Sequence, residues 1–281
     1  MRGRDHRVLR GARHNASGFS MPHHRSASAR LCLRRPALLL GAAALLAASA
    51  QAQEVPSAAP SWGVGGGVFY VRKPYKGYDS DTKVLPWVSY ESEHFSIQVP
   101  QIDYKFSPVG PVSFRLRARY ALNDGYDASD SPNLAGMADR DASVWLGAAA
   151  VWKNDFANVS AELLGATGQS KGSKFTIGLD RNFGFGSFVL TPRIAAVYAD
   201  RKYVDYYYGV RAAEATASRA AYDGRSTTNL ELGLRLGYGI DARQSLFLDV
   251  SGTRLGSAIK DSPLVDRSSV GGVRVGYLYR F

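Results

Sequence analysis

The final stretch, Val273 to Phe281, restricts the fold of this chain more than any other. Val273, Val275, Tyr277, Tyr279 and Phe281 fall on one parity; Arg274, Gly276, Leu278 and Arg280 fall on the other. A period of two sends the two sets to opposite faces of a β-strand. One face is apolar and aromatic, and the other carries two arginines. A transmembrane β-barrel uses such a strand to close its wall, with the apolar face toward lipid and the polar face toward the lumen.

The start of the chain has the form of a secretory leader. Residues 1–52 carry nine arginines and one acid, Asp5, so most of the formal +11 charge sits there. A nucleic-acid partner needs a basic patch on the folded domain, and that charge leaves with the leader. Arg34 and Arg35 precede an apolar run from Pro36 to Ala48. Small residues follow, with candidate cleavage points after Ala50 and Ala52, the second favoured. Met21 is a candidate true start. The run is too short for a helical span, which needs about 20 residues. The expected domains are a signal peptide over 1–52 and a barrel over 53–281. Cys32 is the sole cysteine. It precedes the apolar run, so the exported part has no disulfide and no cysteine-based metal site.

Short alternating segments separated by Gly, Pro, Asn, Asp and Ser fill the remainder, which is the pattern of an all-β antiparallel fold. The clearest are Pro111–Leu122, Lys174–Asp180 and Thr228–Ile240. Counting back from a periplasmic C-terminus puts the loops at 257–268, 199–226 and 123–142 outside. The tight turns near Asp241, Gly184 and Asn154 then lie inside, as bacterial barrels require. Loop 72–83 falls outside only if 94–99 and 102–106 are two short strands, which predicts twelve strands. Ten is the alternative if that hairpin lies outside the wall. Trp62, Tyr70, Trp87, Tyr90, Trp152, Tyr198, Tyr238, Tyr277 and Tyr279 suit interfacial girdles.

On the polar faces stand Arg115, Arg117, Arg119, Glu162, Lys174, Asp180, Arg193, Glu231, Arg235, Asp249, Arg274 and Arg280. Charges at alternate positions opposite Leu, Val and Phe are costly in a dry core but natural in a polar lumen. Their positive bias suits either a narrow anion-favouring pore or a plug of salt bridges. No catalytic set converges. His94 is the one histidine after the leader, too few for a metal cluster or a triad. Gly65-Gly66-Gly67 lacks the lysine of a phosphate loop and reads as a thin strand allowing close packing. Asp124, Asp127, Asp130, Asp139 and Asp141 lack EF-hand spacing and read as a solvated loop. No cofactor or metal is expected.

Several stretches together resemble the MipA/OmpV family of outer-membrane proteins. They are Pro74–Asp79 (PYKGYD), Leu85–Tyr90 (LPWVSY), Tyr203–Val210 (YVDYYYGV) with Glu214-Ala215 after it, and Ile259–Val265 (IKDSPLV). They occur in order across nearly the whole exported chain. The resemblance implies an outer-membrane barrel without enzymatic activity. It implies a scaffold joining a lytic murein transglycosylase to a penicillin-binding protein; the charged lumen leaves a narrow channel for small solutes as the alternative. Val275, Tyr277, Tyr279 and Phe281 resemble the signal read by the barrel-assembly machinery. Tyr203, Asp205, Tyr206, Tyr207 and Tyr208 open an outer loop. They are expected either to form a recognition surface or to anchor the loop at the lipid interface.

Overall fold

The computed structural model describes residues 60–78 and 80–281; the expected leader lies outside them. Thirteen strands are present: β1 (Ser61–Arg72), β2 (Ser80–Glu91), β3 (Phe95–Gln98), β4 (Gln101–Lys105), β5 (Val112–Tyr120), β6 (Val144–Lys153) and β7 (Asn158–Thr167), then β8 (Ser173–Asp180), β9 (Phe183–Phe185), β10 (Phe188–Ala199), β11 (Thr227–Gly239), β12 (Gln244–Arg254) and β13 (Ser269–Arg280). All pairings are antiparallel between chain neighbours, except that β8 pairs with β10 and β13 closes on β1. Twelve strands make the wall. The thirteenth, β9, was not expected; it folds back on β10 where the sequence pattern predicts a plain turn.

Alternation sets the two faces. Val64, Val68, Leu116, Ile177, Leu232, Leu234, Val250 and Val275 are exposed on the outer surface. A continuous apolar belt of this kind far exceeds the patches that water-soluble monomers tolerate, and a closed barrel is a fold that satisfies its backbone in lipid. Among the described residues no helix is long and apolar enough to cross a membrane; the strands do so. Trp62 and Tyr90 pack at one rim with tilted rings, centroids 4.5 Å apart. Trp87, expected in a girdle, instead points inward. It shares parity with Lys83 and Ser89 and packs on Phe69 and Phe247, at 6.2 and 5.2 Å.

β13 pairs with β1 from Gly63↔Arg280 to Val71↔Gly272. A Cβ on Gly65 would sit 1.9 Å from the Tyr277 carbonyl oxygen, so the seam closes only around glycine. Phe281 extends the seam by donating its N–H to the Trp62 carbonyl at 2.9 Å, while its ring stays exposed. Deleting Phe281 removes one rung and leaves the other pairings. The expected result is a sharp fall in the heat-modifiable, folded band in outer-membrane fractions. Unchanged levels of the truncated protein would contradict a role for this residue in assembly.

The β3–β4 hairpin is much shorter than its neighbours. β2 pairs with β3 only over Ser89–Glu91, so its outer half, from Ser80 to Trp87, has a strand partner on one side alone. Pro86, which lacks an N–H, lies on this free edge, a common device for blunting one. Lys83 Nζ reaches past the hairpin to the Leu122 carbonyl at 2.8 Å.

Candidate functional site

The lumen wall carries two separate charge groups. On the β4–β7 side, Asp103 accepts from Arg117 Nε at 2.8 Å and Nη2 at 2.7 Å, and from Arg115 Nη1 at 3.3 Å. Arg117 also pairs with Glu162, which takes Arg119 at 3.2 Å. The links run along one wall between near strands and do not cross the bore. Asp103 is 2% exposed, and no sequence pattern singled it out, because a five-residue strand is too short for alternation to register. Asp180 accepts from Asn158 Nδ2 at 2.9 Å.

On the β10–β13 side, Arg193 grips Asp249 with Nη1 and Nη2 at 2.8 and 2.9 Å. Arg235 and Arg274 are the cross-strand neighbours of the same aspartate. The Arg235 guanidinium lies over the Phe247 ring, 4.2 Å from its centroid. That ring lies over Gly276, where a Cβ would meet it at 2.4 Å. Glu231, farther up the wall, is exposed. Below this group a cavity of about 410 Å³ opens at the end holding the short turns, lined by Trp87, Ser89, Arg235, Phe247, Leu278 and Arg280 among others. Arg280 is exposed at its rim.

The opposite end is filled by the long loops. Loop 200–226 begins with α1 (Arg201–Tyr208), an unexpected helix capped by Asp200, whose side chain accepts the Tyr203 N–H at 2.9 Å. A second short helix, α2 (Ser257–Lys260), lies in the last loop. Tyr203, Val204 and Tyr207 join Tyr75, Leu134, Ile259 and Leu264 in one buried core. The inward-facing wall residues Trp145 and Leu164 belong to that same core, so the loops pack down into the mouth. Two buried arginines tie the layers. Arg140 donates from Nε to the Tyr206 carbonyl at 2.7 Å and from Nη2 to both carboxylate oxygens of Glu214 at 2.9 Å. Arg219 Nη1 and Nη2 reach the carbonyls of Asn133 and Ala135 at 2.8 and 3.1 Å. Ser262 Oγ on the third loop donates to the Tyr208 carbonyl at 2.6 Å. Burial pushes the Tyr126 hydroxyl up to about 12 and holds Tyr75, Tyr203, Tyr207 and Tyr208 above the ordinary range, so the cap core carries no phenolate. Burial draws the Lys73 ammonium down, with Asp81 opposing; its Nζ donates to the Asn123 carbonyl at 2.9 Å.

The expected recognition segment is therefore placed differently. Tyr203, Tyr207 and Tyr208 are buried in the cap, neither at the outer surface nor in the lipid interface, while Asp205 is exposed and Tyr206 half-buried. Eight helical residues are too few to display a 3.6-residue period, and the burial depends on distant partners such as Trp145. Lys174 sits under the cap, 3.9 Å from the Tyr203 ring centroid and 3.2 Å from Asp124 Oδ2. Two further acids of loop 121–143 act as local acceptors: Asp130 takes the Asp127 N–H and Asp139 the Ala128 N–H, at 2.9 and 2.7 Å. Val273, Val275 and Tyr277 face outward, with Arg274 on the inner parity.

A family model described as MltA-interacting protein, MipA, matches residues 64–281. The MltA-interacting protein of Escherichia coli K12 is 26% identical, covering 86% of this chain and 98% of that one. The outer membrane protein OmpV of Vibrio cholerae is 29% identical, covering 78% and 86%. Among solved structures, OmpT, an outer membrane protein of Vibrio cholerae, aligns with a TM-score of 0.38 at 7% identity, over 79% of this chain and 96% of that one.

Proposed function

Since the chain belongs to the MltA-interacting protein (MipA) family, we propose that this outer-membrane β-barrel is a non-enzymatic scaffold for a murein hydrolase on its periplasmic side, exported by a leader cleaved after Ala52. The observation that carries this reading is the cap. Four loop regions share one core with the inner wall and pack into the outer mouth, which supports a role at the periplasmic face over that of a steadily open channel. The name of the Escherichia coli relative supports the choice of partner; a lytic murein transglycosylase is the proposed client, with a penicillin-binding protein beside it.

Short turns give little area against the 1,200 Å² or so of a stable interface. The β8–β10 connection adds to it through β9, where Phe183 and Phe185 are exposed, and Phe156 is exposed in the β6–β7 turn, with Arg181 over the Phe156 and Phe183 rings at 5.7 and 5.1 Å. Crosslinking in intact envelopes followed by pull-down should enrich a murein transglycosylase. Recovery of the barrel with no cell-wall enzyme would end the scaffold reading. The positively biased wall around Arg235 favours a second reading, a narrow anion-passing channel; steady anion-selective conductance from the capped protein in planar bilayers would select it.

A further inference from the structure

The β10–β13 wall carries three guanidiniums, those of Arg193, Arg235 and Arg274, around one carboxylate, Asp249. Arg193 occupies both oxygens of that carboxylate. Among the described residues no carboxylate lies within salt-bridge reach of Arg235 or Arg274. The Arg235 guanidinium carbon lies over the Phe247 ring, 4.2 Å from its centroid, and Arg235 lines the cavity with Arg280. The N–H edge of a guanidinium that no carboxylate occupies fits the two oxygens of one. The one acid on the cavity wall, Glu91, is already paired with Lys105. Glu231, on the same strand as Arg235, lies outside the cavity lining.

The rest of the lining is suited to an organic body. Trp87 and Phe247 meet edge to face, 5.2 Å apart, and Leu278 adjoins them. Ser89 and Ser245 add hydroxyls. About 410 Å³ is room for a small organic molecule. The cavity opens at the periplasmic end while the cap fills the other, so an occupant comes from the periplasm.

We infer that this cavity binds a small organic carboxylate, its head on the Arg235 fork and its apolar or aromatic body against Trp87 and Phe247. This assignment stands apart from the scaffold reading, since it requires no protein partner.

The test uses protein extracted from outer membranes in detergent and titrated calorimetrically with 2-naphthoate. Neutral 2-naphthol and inorganic phosphate serve as comparisons. Saturable naphthoate binding is expected, with naphthol and phosphate both weaker. Arg235→Gln should weaken naphthoate by about tenfold or more, and Arg280→Gln by less. Phe247→Leu should weaken naphthoate while leaving phosphate unchanged. Folding of each variant is read by heat-modifiable mobility. Should Arg235→Gln not fold, Arg235→Lys keeps the charge and loses the fork, and a weakening there carries the same meaning. Absence of saturable binding, equal binding of naphthol, or indifference of naphthoate to the Arg235 variants would overturn the site. Phosphate binding as tight as naphthoate would overturn its organic half.

Discussion

Arg140→Ala should convert a silent barrel into a conducting one. Arg140 and Glu214 are nearly inaccessible, with side-chain exposures of 2% and 7%. Removing the guanidinium leaves a buried carboxylate without that partner and frees the Tyr206 carbonyl. Breaking a buried pair from one side costs about 3–5 kcal/mol, enough to release the loops locally while the wall keeps its hydrogen bonds. Planar-bilayer recordings should detect channel events in the variant and none in the parent, and hydrogen exchange should quicken across residues 200–226. A silent variant with unchanged exchange would mean that the cap does not depend on this pair. The same carboxyl sets an acid limit. Burial of Glu214 opposes ionisation, but the N–H groups of Arg211 and Ala138 and the Arg140 side chain outweigh it and hold the carboxyl below its ordinary range. A carboxyl depressed by folding contributes stability that is present above its unfolded value and lost as pH falls through the folded one. The cap should therefore hold at neutral pH and loosen only in acid below the usual carboxylate range.

Asp103→Ala is expected to cost the barrel itself about 3 kcal/mol, at the low end for a buried pair because Arg115 retains access to lumen water. Asp103 is the shared acceptor of Arg115 and Arg117, and its loss sets those two cations side by side with Glu162 as the remaining nearby acid. Guanidinium unfolding in vesicles, followed by tryptophan fluorescence, should give an earlier midpoint with the slope unchanged. Asp103→Asn, which keeps an acceptor without the charge, should recover part of the loss. Equal midpoints for parent and alanine variant would show that lumen water replaces the carboxylate at no cost.

The wall was legible in the sequence wherever a strand was long enough to alternate. β5, β8, β11 and β13 fall within a few residues of their patterns, and loop parity alone separated β3 from β4. Trp87 was misread as a girdle residue although its parity pointed inward. Its parity partners Lys83 and Ser89 are polar, while Val84, Pro86 and Val88 form the lipid face, and only its aromatic character suggested a girdle. Asp103, β9 and the cap were not legible, for different reasons. Asp103 and β9 lie on strands of five and three residues. The cap core joins Tyr75, Leu134, Tyr207 and Ile259 from four separate loop regions, and no local period encodes an assembly of that kind.

The short β3–β4 hairpin gives this wall the mechanics of a slit ring. A ring stitched all round resists being squeezed oval from any direction, whereas a ring cut over part of its height yields at the cut. The periplasmic half is stitched through Ser89–Glu91 and keeps its bore. The outer half is drawn together across the cut by side chains and loops instead, Lys83 to Leu122, Lys73 to Asn123 and Ser131 to Lys76, beside a strand edge that Pro86 leaves without a full set of stitches. Lateral pressure from the bilayer should therefore be felt first at the unpaired outer edge of β2, where loop and side-chain contacts stand in for a ladder.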